Sequence, residues 1–284
     1  MQVYVSRLTM LLSALYLAVF PGATLTVALD RVPMWGAWMG GALLILQGTI
    51  VLCWLISSYG RWGVLAASLI GSLAWAIEHV GVTTGFPFGR YSYTAALQPQ
   101  IFGVVPLAIV CAWLMVAVGA WQLAGALSAG AGGGAHKPGS GMRSHLLAAT
   151  LVVLLDLQIE PIATAINRYW VWDQAGWYYG VPAANFAAWW VVGALLTLVV
   201  ARVLSPFEPG MAARVGAWKT SLPIARLLAA APMGLYLLST LMFTVITLMH
   251  GYLPAGLVGV VVLLWAIVRG WSRARRATSG AGHR

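Results

Sequence analysis

The chain has 284 residues, of which 61% are hydrophobic and only 8% charged, and its mean hydropathy is +0.86. A water-soluble domain carries about 25% charged residues, so this composition excludes one and instead allows several membrane crossings of about 20 apolar residues each. The formal charge of +10 does not point to nucleic acid, because the basic residues are scattered between apolar runs and gather at the C-terminus, where lipid headgroups suit them.

Apolar runs recur at 8–29, 35–57, 62–80, 101–127, 144–165, 185–204, 224–249 and 253–271. Each is long enough to span a bilayer and is apolar all round, as lipid-embedded helices are. The expected fold class is all-α: a polytopic transmembrane helical bundle of about eight spans, forming a single domain over 1–284. The first run, behind Arg7, exceeds the roughly 7–15-residue core of a signal peptide and reads as a retained helix. Cys53 and Cys111 lie inside apolar runs without any CxxC spacing and read as small hydrophobes.

With eight spans both termini share a side with the second, fourth and sixth connections. Of the 16 basic residues, only Arg31, Arg90 and Arg168 fall on the opposite side. The positive-inside rule then places both termini in the cytoplasm of a multi-pass protein of the cell membrane. Residues 128–143 are Gly-rich and polar and read as a flexible cytoplasmic loop; they lack the Gly-Lys-Ser/Thr of a phosphate loop. The tail 270–284 is a basic cluster suited to anionic lipid.

Two connections on the non-cytoplasmic side, 81–100 and 166–184, are rich in Gly, Pro, Trp and Tyr. An interfacial aromatic belt explains part of this. The second, however, packs Tyr169, Trp170, Trp172, Trp177, Tyr178 and Tyr179 around Arg168 and Asp173, a density expected of a lid over a cavity.

The chain has only six acids, and they are its most informative residues. Asp30 and Glu208 stand beside basic residues and read as solvated loop charges. Asp156 falls near the middle of the fifth run, and Glu160 follows at i+4 on the same helix face. A charge at that depth costs about 2.5–3.5 kcal/mol on insertion scales, so two on one stripe need a shared reason. Pro161 has no N–H for the carbonyl of Leu157, so a kink and an open acceptor are expected there. Glu78 closes the third run on the same side. Its neighbour His79 suits a structural hydrogen bond and a catalytic partnership equally well.

Polar bonding between helices is the plain reading of these acids, but ionisable groups inside a membrane mark functional sites by default. A carboxyl group removed from water favours its neutral form, which is the form a general acid needs. His136, His145, His250 and His283 do not cluster, and no HExxH, HxxxH or GxSxG spacing occurs. Neither a histidine-rich di-iron site, nor a zinc-hydrolase site, nor a serine-hydrolase elbow is therefore expected.

These residues also carry a resemblance. Glu78-His79-Val80-Gly81 leads to Thr84-Gly85-Phe86-Pro87-Phe88-Gly89-Arg90-Tyr91-Ser92-Tyr93. Asp156-Leu157-Gln158-Ile159-Glu160-Pro161-Ile162-Ala163 is followed by Tyr169-Trp170-Val171-Trp172, by Gly176-Trp177-Tyr178-Tyr179-Gly180-Val181-Pro182, and by Asn185-Phe186. The combination resembles the membrane-bound carotenoid 1,2-hydratases of bacterial and archaeal carotenoid biosynthesis, the γ-carotene, lycopene and bisanhydrobacterioruberin hydratase type. It covers residues 75–190, and the flanking helices match in hydropathy alone. Ala188 stands where that family's glycine is expected before Trp189.

The resemblance implies addition of water across the terminal C1=C2 bond of an acyclic ψ end group, giving a tertiary 1-hydroxy carotenoid by acid–base catalysis without a cofactor. For that chemistry the buried acids are the expected catalytic groups: Asp156 or Glu160 as the acid, with the other, or Glu78, positioning water and His79 as a further catalytic candidate. Arg90, Tyr91, Tyr93, Tyr169, Trp170, Trp172, Asp173, Trp177, Tyr178, Tyr179 and Asn185 would bind substrate. The partners implied are a carotenoid (lycopene, γ-carotene or a fifty-carbon precursor), water, the lipid bilayer and other enzymes of the pathway.

Two other functions fit some of the same residues. A membrane prenyl-transfer enzyme could hold Mg²⁺ and a diphosphate on the i, i+4 acids. It would want a second acidic pair, and Arg90 and Arg168 are the only candidate diphosphate partners on that side. A proton-coupled transporter could relay protons through Glu78, Asp156 and Glu160, although the two halves show no clear repeat.

Overall fold

The computed structural model describes residues 2–128, 141–204, 206 and 227–281, with side chains to 272. Eight of its helices are long and apolar enough to cross a membrane. They are α1 (Gln2–Ala28), α2 (Met39–Tyr59), α3 (Arg61–Thr84), α4 (Leu107–Ser128), α5 (Met142–Pro161), α6 (Ala183–Leu204), α7 (Ala231–Met249) and α8 (Leu253–Ala281). Each expected span corresponds to one of them, and the chain is a multi-pass membrane protein.

The boundaries differ where turn chemistry overrides hydropathy. α3 runs to Thr84 rather than ending at 80, and Gly85, at φ 83, caps it by donating its N–H to the Gly81 carbonyl. α4 begins at Leu107 rather than 101, because Gln100–Ile101 (β2) pairs antiparallel with Val105–Pro106 (β3). Phe102 and Gly103, at φ 52 and 71, turn that hairpin. α8 continues through the basic tail to Ala281 instead of stopping at the membrane edge. Most of the Gly-rich loop 128–143 lies outside the described residues, as does Glu208.

α4 is the most enclosed helix, with 72% of its apolar window buried, whereas α1 and α8 bury only 11% and 22%. Glycines let the backbones approach: Gly48 of α2 faces Cys111 of α4, and Gly193 of α6 faces Val152 of α5. Polar side chains tie the helices together. Gln47 Nε2 donates to Tyr16 Oη at 2.8 Å and to Ser239 Oγ at 3.0 Å, joining α2 to α1 and α7. Tyr236 Oη donates to the Leu151 carbonyl at 2.6 Å, joining α7 to α5.

At the end of the bundle away from the termini, the two unusual connections pair with each other. Tyr91–Tyr93 (β1) runs antiparallel to Trp170–Trp172 (β4), with Tyr91 opposite Trp172 and Tyr93 opposite Trp170. Side chains alternate across a strand, so these four rings face the bundle while Ser92 and Val171 are exposed.

Candidate active site

Glu78, one and a half turns before the end of α3, is only 4% exposed. Its Oε2 accepts from Tyr91 Oη at 2.6 Å and Tyr93 Oη at 2.7 Å. Its Oε1 accepts from Trp113 Nε1 of α4 at 2.7 Å. The Trp113 ring stacks on Trp189 of α6, with centroids 4.1 Å apart.

Glu160, 1% exposed, is the counterpart on α5. Its Oε2 accepts from Trp170 Nε1 at 3.2 Å and Trp172 Nε1 at 3.1 Å, and its Oε1 accepts from Asn185 Nδ2 at 3.0 Å. The same Asn185 nitrogen donates to Asp156 Oδ2 at 3.0 Å, so one amide spends both hydrogens bridging the two acids. Asp156 is fully buried, and its Oδ1 meets no hydrogen-bond partner among the described residues. The β1–β4 ladder therefore serves both acids: one strand brings two phenols to Glu78 and the other brings two indoles to Glu160. Burial, and then the charge of Glu78, push the Tyr91 and Tyr93 hydroxyls well above the usual phenol range, which keeps both as donors.

A kink is expected at Pro161; the structure shows the α-helix passing there into a π-turn over Ile162–Ile166. The Leu157 carbonyl receives a 2.7 Å hydrogen bond from Tyr178 Oη, which ties the aromatic loop to α5 one turn below Glu160.

A cavity of about 950 Å³ opens beside these groups. Glu78, Glu160 and Asn185 border it, together with Tyr91, Tyr93, Trp113, Trp170, Trp172 and Trp189. Apolar side chains of α1, α2, α7 and the segment before α2 form much of the remaining wall. Asp156 does not border the cavity and connects to it through Asn185. Both oxygens of Glu78 and of Glu160 already accept from N–H or O–H donors, an arrangement suited to hydrogen bonding rather than to a shared cation.

Not every expected residue reaches the site. His79 follows Glu78 on α3, and adjacent helical residues do not share a face. It stacks on Trp75 at 5.1 Å, away from the cavity. Arg90, Asp173 and Trp177 are exposed, and Asp173 donates its backbone N–H to the Arg90 carbonyl at 2.9 Å. Tyr179 packs edge-on to Tyr252 at 5.0 Å. Tyr169 does border the cavity, and burial pushes its hydroxyl up to about 12. Trp113 and Trp189 were not expected there. The available signal was Trp113 itself: an indole inside an apolar run favours a buried acceptor for its N–H.

The carotenoid biosynthesis protein family matches residues 39–266. Bisanhydrobacterioruberin hydratase of Haloarcula japonica is 31% identical over 135 residues, a stretch that covers 48% of this chain and 43% of that protein. No solved structure matches. The family match runs from α2 into α8 and takes in all three buried acids and every donor around them, so the chain belongs to the carotenoid biosynthesis protein family.

Proposed function

We propose that this protein adds water across the terminal C1=C2 bond of an acyclic carotenoid end group, giving a tertiary 1-hydroxy carotenoid. The observation that carries the reading is the pair of buried carboxyl groups, Glu78 and Glu160, bordering one apolar, aromatic-walled cavity. The resemblance to a bisanhydrobacterioruberin hydratase supports the same chemistry.

In this reading the Glu160 carboxyl gives its proton to C2. The π electrons form the new C2–H bond and leave a tertiary cation at C1. Indole and phenol faces stabilise a cation by about 0.5–2 kcal/mol each, and Trp113, Trp189 and Tyr93 border the cavity for that purpose. A water held by Glu78 forms the C1–O bond, and its surplus proton returns to a carboxylate, so atoms and charge balance with no electron donor. Asp156, reached through Asn185, supports Glu160 rather than touching substrate. The site then lies toward the non-cytoplasmic face of the cell membrane, with both termini in the cytoplasm.

The test is expression in a lycopene-accumulating host, grown without oxygen in heavy-oxygen water, followed by mass spectrometry of the pigments. The expected product is heavier by one labelled water per modified end. Unchanged lycopene, γ-carotene and fifty-carbon precursor, with the protein present in the membrane, would overturn the reading.

A further inference from the structure

The three buried acids and their donors all lie inside the family-matched segment 39–266, but one wall of the cavity does not. Leu15, Val19, Gly22, Ala23, Thr26 and Val27 of α1 border the cavity. Their spacing of three and four residues makes a single helix stripe, about 18 Å long at 1.5 Å per residue. Both ends of the stripe are anchored. Tyr16 Oη accepts from Gln47 Nε2 at 2.8 Å, and His250 Nε2 lies 3.1 Å from the Val27 carbonyl. Between those anchors α1 presents its apolar stripe to the cavity and buries only 11% of its apolar window in the protein.

Gly22 is the recess in this wall. A Cβ added there meets nothing within 4 Å, so a side chain at that position enters open space instead of a neighbouring helix. The backbone is helical and needs no glycine, and replacing Gly in a helix interior favours the helix.

We propose that α1 is the selectivity wall of the cavity: the polyene of a long acyclic isoprenoid lies along Leu15–Val27, and the absence of a side chain at Gly22 sets the width available to it. This rests on the hydratase reading for the identity of the ligand class. Reaction and selection are then carried by separate parts of the chain, the acids by α3 and α5 and the fit by α1.

The experiment titrates the detergent-purified full-length protein with lycopene, an acyclic forty-carbon polyene. Tryptophan quenching and the circular dichroism induced in the polyene band report binding, and neither requires turnover. A ten-carbon isoprenoid with the same dimethyl-alkene end is titrated in parallel. Gly22→Trp is expected to weaken lycopene binding at least tenfold more than binding of the short compound. Gly22→Leu should act in the same direction to a smaller extent and serves if the Trp variant does not fold. Gly234→Trp is the control, because Gly234 also has open space around it but does not border the cavity.

Wild-type lycopene affinity in both Gly22 variants would overturn the proposal, as would equal weakening for the two ligands. Lycopene binding that depends on Gly22, without any hydroxylated product in the labelling experiment, would overturn the hydratase reading and leave the wall in place.

Discussion

The hydroxyl of Tyr178 donates a 2.7 Å hydrogen bond to the carbonyl of Leu157, the acceptor to which Pro161 has no N–H to give. A helix break at the level of the acids is thereby closed by a side chain from the aromatic loop. The same contact holds that loop, whose indoles serve Glu160, against α5. Tyr178→Phe leaves the part-buried carbonyl without its donor, at a cost of about 1 kcal/mol or more. Thermal unfolding in detergent should show a lower Tm, and product formation should fall with it. Unchanged values for both would show that the contact does not anchor the loop.

The acids should differ in their importance to turnover. Glu78 and Glu160 border the cavity, and on the proposed mechanism replacing either with Gln removes a proton-transfer group worth about 10²–10⁴ in rate. Asp156→Asn should cost less, because Asp156 does not border the cavity and connects to it through Asn185. Labelled hydroxy-carotenoid per unit of folded protein is the measure. A larger loss in Asp156→Asn than in Glu160→Gln would reverse the assignment of the proton donor.

Trp113→Phe keeps an aromatic ring opposite Trp189 but takes the 2.7 Å N–H donor from Glu78 Oε1. If this bond orients Glu78 toward a water, product formation should drop about tenfold, equivalent to roughly 1.4 kcal/mol, with lycopene binding retained. Loss of binding together with rate would instead mark Trp113 as a packing residue.

High pH should destabilise the protein through Tyr169. Burial raises its hydroxyl from the ordinary 10.0 to about 12. The unfolded chain releases this proton at lower pH than the folded one, so the contribution is complete below pH 10 and is lost as pH rises through about 12. Across that window the Tm of the wild type should fall more steeply than that of Tyr169→Phe. Parallel curves would place Tyr169 in water.

Topology can be read on intact cells. Trp177 is 78% exposed at the end of the bundle away from the termini. Trp177→Cys should react with a membrane-impermeant thiol reagent added outside, whereas Arg61→Cys, on the α2–α3 turn, should react only after permeabilisation. The opposite pattern would invert the orientation derived from the basic residues.

The sequence by itself determined the number and the approximate placement of the helices. Each must supply about 20 apolar residues and satisfy its own backbone, and both demands are local. It also singled out Glu78, Asp156 and Glu160, because an acid in a hydrocarbon setting is conspicuous in one dimension. The opening left by Pro161 was equally legible, being a property of one residue and its partner four positions back.

Only the tertiary structure decided how those acids are shared out. Tyr91 and Tyr93 could be seen beside Glu78 in sequence, but their pairing with Trp170 and Trp172 joins connections nearly eighty residues apart. That pairing is what divides phenols and indoles between the two acids. Trp113 reached Glu78 from a third helix, His79 turned away although it adjoins Glu78, and Asp156 fell behind Asn185 rather than on the cavity. Hydropathy records whether a residue tolerates lipid; it carries no information about which neighbour its one polar atom will meet. That depends on the rotation of each helix within the bundle, which close packing at Gly48, Gly193 and their facing residues sets.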